Sequence, residues 1–309
     1  MWYKNLRIYQ ITKTLDFSES EVQDLLAKSV FKPCAKHQHQ SIGWVSPLST
    51  TISDDESEQP LLYLKHSQNI AFKLRIQEKV LPYSVVKEAL EIRVHERELA
   101  EARTIFLREK RQLKDEIVAE FTPKAFTRSN HIQGYWDTHN NRLIIDANSA
   151  SKAEAFLRLL REAFGSLPVI PFEAKQSPSH TMTQWLLEGT GNTTIQLSDE
   201  CELRSSDEEA AIVRLRHQEL SADEVRAHLD AGKQAVKLRV IWRDGIEATI
   251  SESATFNRLH FSDDIKALDA SYSKEEELQR MSHEFTVMVT EINAFVDDMI
   301  EALGGMVEL

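Results

Sequence analysis

Residues 83–122 read YSVVKEALEIRVHERELAEARTIFLREKRQLKDEIVAEFT, forty positions with no glycine or proline. Val86, Leu90 and Val94 recur at helical spacing, and Phe106, Leu113, Ile117 and Phe121 make a second apolar stripe, so the segment reads as helix. One helix of that length would reach about 60 Å at ~1.5 Å per residue, too long for a compact domain of this size. Two helices forming a projecting hairpin, broken near Glu101 to Phe106, are therefore expected. Pro123 closes the second helix, because it lacks an amide donor and its ring clashes with the preceding turn.

The same stretch is where cations gather. Between Lys73 and Arg128 there are thirteen Lys/Arg against ten Asp/Glu, a net of +3, in a chain whose formal charge is −12; the remainder thus carries −15. Such a contrast suits a polyanionic partner met by one surface while the others repel it, and nucleic acid is the first candidate. Arg103, Lys110, Arg111 and Lys114 fall at offsets of seven, eight and eleven, which places them on one helix face. Arg93 and Arg97 form a similar pair, and Lys124 and Arg128 flank the bend after Pro123 with Phe126 between them. A plainer reading stands beside this one: a solvated helix whose cations pair with Glu98, Glu101, Glu109 and Glu120.

On the N-terminal side the period is two. Tyr3, Leu6 and Ile8 alternate with polar residues, Ile42 to Val45, Leu61 to Leu64 and Ile70 to Ile76 read as further strands, and Ser18 opens a short helix through Val22, Leu25 and Leu26. Ser49 to Gln59, polar and acidic, reads as an exposed loop. Beyond the hairpin, Ile132 to Trp136 and Arg142 to Ile145 form a β-hairpin across Thr138 to Asn141. Ser151-Lys152-Ala153-Glu154 then reads as a capping box opening a helix that Gly165 stops. Glu173 to Ser179 marks the expected boundary between two α+β domains, 1–172 and 173–309. In the second, Thr181 to Leu187 and Ala222 to Ala231 read as helices. Val236 to Trp242 and Ile246 to Ile250 form a hairpin about Arg243-Asp244-Gly245, and Phe256 to Phe261 adds a strand. A long terminal helix, Lys274 to Leu303, carries Leu278, Met281, Phe285, Met288, Val289, Ile292, Phe295, Val296, Met299 and Ile300 on one stripe suited to core packing or dimerisation.

Composition bounds the class. With 41% apolar and 28% charged residues, 309 residues can bury a sizeable core. Cys34 and Cys201 sit in no CxxC spacing and read as reduced thiols. The alternating, charged start is unlike a signal peptide's apolar core, and no apolar run approaches the ~18 residues of a membrane span, so a cytoplasmic protein without membrane contact is expected. Signals for catalysis are thin. Gly189-Thr190-Gly191-Asn192 lacks the Gly-Lys-Ser/Thr ending of a phosphate loop, and His37 and His39 have no partners to complete a metal site. No nucleophile elbow or zinc-protease motif occurs. The expectation is a protein without catalysis, metal or cofactor.

Over essentially its full length the chain resembles the RdgC family of recombination-associated proteins. The matching stretches are Phe31-Lys32-Pro33-Cys34, Gly43-Trp44-Val45-Ser46-Pro47, Val80-Leu81-Pro82, Lys114-Asp115-Glu116, Pro123 to Arg128 and Gly165 to Val169. Gln218-Glu219-Leu220, Gly232-Lys233 with Lys237-Leu238, Arg258-Leu259-His260-Phe261 and Leu303-Gly304-Gly305 complete the order. The resemblance implies a nucleoid-associated homodimer: a ring with a cationic hole that encircles DNA. Such proteins bind single- and double-stranded DNA with little sequence preference and restrain the RecA recombinase by competing for DNA. Carried onto this chain, the hole would be lined by Lys73, Arg75, Lys87, Arg93, Arg97, Arg103, Lys110, Arg111, Lys114, Lys124 and Arg128, joined by Arg214 and Arg216, and Phe126 would close the ring. Phe126 as a core residue after the helix is the competing reading. Where the family tends to carry lysine, this chain has His217 and His260, which implies DNA binding that tightens on acidification, with His217 at the site. The alternative function is a protein-interaction factor that acts on a recombination protein through the helical hairpin or the terminal helix.

Overall fold

The computed structural model describes residues 2–13, 17–48, 61–205, 211–267 and 277–307. The acidic segment expected as a loop, Ser49 to Gln59, lies outside the described residues, as does the start of the terminal helix at Lys274 and the side chain of Leu278. Alternation along β1 (Asn5–Ile11) sends Leu6 and Ile8 to one side of a sheet and Tyr9 and Ile11 to the other. Both sides are apolar, so this strand is buried on both faces. It lies in the middle of the molecule.

Around β1 runs a single antiparallel sheet of twelve strands. From the N-terminal half come β2 (Gln40–Val45), β3 (Tyr63–His66), β4 (Asn69–Lys79), β5 (Thr127–Asp137), β6 (Arg142–Asp146) and β7 (Val169–Pro171). The C-terminal half adds β8 (Ile195–Arg204), β9 (Ile212–Leu215), β10 (Gln234–Trp242), β11 (Ile246–Ser251) and β12 (Phe256–Phe261). The main order is β2-β4-β5-β6-β1-β12-β11-β10-β8-β9, with β3 on β4 and β7 on β1. The antiparallel strands of the two expected α+β segments therefore belong to one sheet, joined where β1 pairs with β12 through Asn5 and Leu6 opposite Asn257 and Phe256. The segment 173–179 runs from just after β7 into the first residues of the next helix, and strands from both sides of it belong to the sheet.

Helices cover the sheet unequally. On one side α1 (Glu19–Ala27) and α4 (Ala150–Phe164) cover only the N-terminal half, with Phe156, Leu157, Leu160 and Phe164 set among Trp44, Phe72, Leu74, Ile132 and Ile145. Ser149, two residues earlier than the expected box, caps α4: its extended backbone lets the hydroxyl accept from Lys152 N–H at 3.4 Å. On the other side lie α5 (Pro178–Glu188) and α8 (Glu277–Ala302). Met281, Phe285, Met288, Val289, Ile292, Phe295, Val296, Met299 and Ile300 of α8 are all buried within the subunit. Each such side chain contributes about 1.5–3 kcal/mol of transfer free energy. The stripe is core. Polar tethers flank it: Tyr135 Oη donates to Asn293 Oδ1 at 2.7 Å, and Trp242 Nε1 donates to Asp298 Oδ2 at 2.7 Å. One tether reaches the N-terminal half and the other the C-terminal half, so α8 fastens the two together. Short helices α6 (Asp223–Asp230) and α7 (Asp263–Ala267) complete the fold.

The hairpin forms as expected. Helix α2 (Tyr83–Glu101) ends at Ala102, whose φ of 50° is left-handed, and α3 (Leu107–Phe121) returns. A 3-10 turn, Thr122–Lys124, leads into β5. The two helices pack chiefly on each other. Val86, Leu113 and Ile117 are buried between them, but Phe106 is not. Ile105 takes that place at the tip, because Phe106 is the extended residue just before α3 and its ring points outward.

Candidate nucleic-acid interface

The hairpin's cations are organised by carboxylates. Arg103 forms a two-pronged clamp on Glu109, Nη1 to Oε2 at 2.9 Å and Nη2 to Oε1 at 2.6 Å, and also reaches Glu101 at 2.5 Å. The Arg103 hydrogen bonds, with that of Phe106 N–H, hold the Glu109 carboxyl far below its usual range, at about 2. Arg97 donates to Glu101 at 2.9 Å, and Arg93 joins the two helices through Glu120 at 2.9 Å. Lys87 faces Glu91 at 3.7 Å. These pairs match the plainer reading of a mixed-charge helix. Lys110 and Arg111 differ, forming no ion pair among the described residues, and Lys114 has only the Tyr83 ring, 5.8 Å from its ammonium. The hairpin cations without an ion pair among the described residues are therefore Arg108, Arg111 and Lys114, which are exposed, and Lys110, which is half-buried.

A second group stands on β4 and β5. Alternation puts Lys73, Arg75 and Gln77 on the α8 side of the sheet, opposite Gln133, His131 and Ser129. Lys73 is 7% exposed, and burial, then the Arg75 charge, lowers its affinity for a proton. Burial keeps Lys73 from the surface a phosphate would touch, because side chains of the sheet and its covering elements enclose its stem. The Arg75 guanidinium stacks on Phe31 at 4.6 Å and donates to Ser129 Oγ at 3.0 and 3.2 Å. Gly43 makes this possible: a Cβ there would lie 2.4 Å from the Phe31 backbone. His131 is held below its usual pKa by burial and by Lys73 and Arg75. Arg128 pairs with Glu78 at 2.6 Å, and Lys124 is exposed without an ion pair among the described residues.

Phe126, beside them, is 88% exposed, so it is not a core residue of the subunit. Leu99, Phe106 and Leu107 at the hairpin tip are also exposed. These apolar groups belong to neither core.

The third group lies on the opposite side of the sheet. In the C-terminal half no helix among the described residues covers that side, and Arg214 on β9 faces out with Glu202 on β8. Arg216 follows, and His217, at φ 53°, brings Nδ1 to 3.0 Å from Asp199 Oδ2. That hydrogen bond holds the Asp199 carboxyl below its usual range. Arg75 and Arg214 thus belong to different faces, and the expected lining does not converge within one subunit.

Sequence reading passed over Lys237, Arg239 and Arg258 on this open face. Lys237 and Arg239 at alternate positions of β10 were a legible signal, since residues two apart share a strand face. Arg258 was not legible: a bulge in β12 places it outward. Among the described residues no three His, Cys, Asp or Glu side chains come together to hold a metal ion, and no helix is long and apolar enough to cross a membrane.

Comparison with known proteins gives one family throughout. Residues 1–306 match a family model described as "Putative exonuclease, RdgC". Among curated relatives, the recombination-associated protein RdgC of Tolumonas auensis is 35% identical over 308 residues, covering 99% of both chains. That of Pseudoalteromonas atlantica is 34% identical over 301 residues, 97% of each, and that of Salmonella paratyphi B 33% over 307 residues, 99% of this chain and 98% of the relative.

Proposed function

This chain belongs to the RdgC family of recombination-associated proteins, and from that premise we propose that it binds DNA, single- and double-stranded, without reading sequence. The observation that carries the reading is the group Arg108, Lys110, Arg111 and Lys114, cations of α3 that form no ion pair among the described residues, on a hairpin attached to a body of strong negative charge. Cations presented in a row neutralise backbone phosphates and release counterions, whereas base recognition needs side chains inserted into a groove. Two copies would close into a ring, with Phe126 and the tip residues Leu99, Phe106 and Leu107 supplying the apolar contacts and the hairpin and strand cations turned inward. Restraint of RecA would follow from occupancy of the DNA. The family model's description names an exonuclease; the reading here is of a binding protein, in a nucleoid-associated, cytoplasmic setting.

The test is retention of labelled DNA by a Lys110→Glu/Arg111→Glu/Lys114→Glu variant. Arg103 is left intact because its clamp holds the tip. Collapse of retention, with an unchanged circular dichroism spectrum, is expected. Wild-type affinity should fall by about 10³–10⁵ between ~50 and ~200 mM salt if ~6–10 phosphates are neutralised. Unchanged retention with lost recombinase inhibition would favour the second reading, direct contact with a recombination protein, which the exposed tip residues also suit.

A further inference from the structure

The open face of the C-terminal half holds a cavity of about 410 Å³ whose walls include Arg214, Arg216, Lys237 and Arg258 with Glu200 and Glu202. Depth sorts these groups by sign. The Glu202 and Glu200 side chains are 10% and 17% exposed, whereas those of Arg214, Lys237 and Arg258 are between 50 and 63% exposed. Carboxylates form the floor and cations the rim.

The floor fixes the rim. Glu202 Oε2 accepts from Arg214 Nε at 2.9 Å and from Lys237 Nζ at 3.1 Å, which leaves both terminal amino groups of Arg214 for another anion. Glu200 accepts from Arg258 Nη2 at 2.5 Å, and the same nitrogen donates to Thr249 Oγ1 at 2.9 Å. Arg216 forms no ion pair among the described residues. Four cations against two carboxylates leave the cavity two positive charges in excess.

The backbone supplies an independent sign. Glu247 of β11 lies opposite His260 and Thr249 opposite Asn257, so β12 carries one extra residue between those pairs. Arg258, at φ 54°, occupies that bulge, and both it and Asn257 escape burial, which ends the strand's alternation. Bulges re-aim side chains, and a left-handed arginine persists only where its surroundings hold it. Here the bulge turns a guanidinium over Glu200.

We propose that this cavity is a phosphodiester-binding site of its own, separate from the hairpin, that holds two neighbouring backbone phosphates of a nucleic-acid strand. It rests on the reading that the chain binds DNA, and adds where a second stretch of backbone is held. Pre-positioned cations lose little freedom on binding, and a site that grips only phosphates discriminates no sequence.

The experiment is fluorescence anisotropy of a labelled duplex against salt concentration, for wild type, Arg216→Ala and Arg216→Ala/Lys237→Ala. Arg216→Ala disturbs no ion pair, so its fold should hold whatever Lys237→Ala does to Glu202. The slope of log affinity against log salt should shrink by about 0.9 in the single variant and by about 1.8 in the double variant. The hairpin triple variant should lower affinity by a factor that multiplies with these. Unchanged slopes in both variants, while wild type binds, would overturn the cavity site alone. Wild type that fails to bind any duplex or single strand would remove the DNA-binding reading itself.

Discussion

His217 shows how much one side chain can alter in a polyanion site. Its side chain is exposed, and its partner Asp199 stays ionised above the acid range because the imidazole's hydrogen bond lowers its proton affinity. Between pH 8 and pH 6 the carboxylate is therefore constant, and histidine is the side chain type that gains positive charge as pH falls through this range. DNA affinity should rise across that interval, by up to one extra phosphate contact. In His217→Ala the rise should shrink to whatever exposed His260 contributes, as measured by anisotropy at fixed salt. Superimposable curves for the two proteins would take His217 out of the site. Nothing in its sequence neighbours announced the Asp199 contact, since the two are eighteen residues apart on separate segments.

At the scale of the element, the hairpin is held by few apolar contacts and many charged ones. Exposed ion pairs are individually worth little, so its integrity depends on Val86, Ile105, Leu113 and Ile117 and on the geometry of the turn. Ala102 is the weak point. It sits at φ 50° and ψ 34°, where a Cβ is unfavourable and glycine is at ease. Ala102→Gly should stabilise the tip by about 1 kcal/mol, seen as slower amide exchange across residues 98 to 106. Faster exchange there would mean that the turn is not held in this conformation. The helical period and the missing breakers made both helices legible from the chain alone. Which of Ile105 and Phe106 enters the interface depended on where α3 starts, and boundaries are the least local part of a helix.

For the whole molecule, the twelve-stranded sheet and α8 make the two halves mechanically continuous, so large surfaces remain for a second copy. Phe126 is the residue on which assembly can be tested. Two copies burying it would gain about 3–6 kcal/mol, on the order of 10²–10⁴ in dissociation constant. Sedimentation velocity should show a dimer for wild type and a shift toward monomer for Phe126→Ser, with unaltered secondary structure. A wild-type monomer at all concentrations, or a dimer indifferent to the substitution, would defeat the ring. The separation of Arg75 and Arg214 to different faces of the sheet bears on this scale too. Only a second subunit or a wrapped strand could let one DNA molecule meet both.

Local order came from the chain itself. Alternation set the strands, the 3.6 period set α4 and the hairpin, with Gly165 stopping the first and Pro123 closing the second, and the apolar stripe marked α8 as core, because each depends on neighbours a few residues away. The tertiary structure alone decided that the halves share one sheet, that Lys73 is buried, and that Arg258 turns outward on a bulge above Glu200. Those outcomes arise from pairing between distant strands, β1 with β12 above all, where the energy belongs to contacts between segments and neither segment's composition specifies the partner.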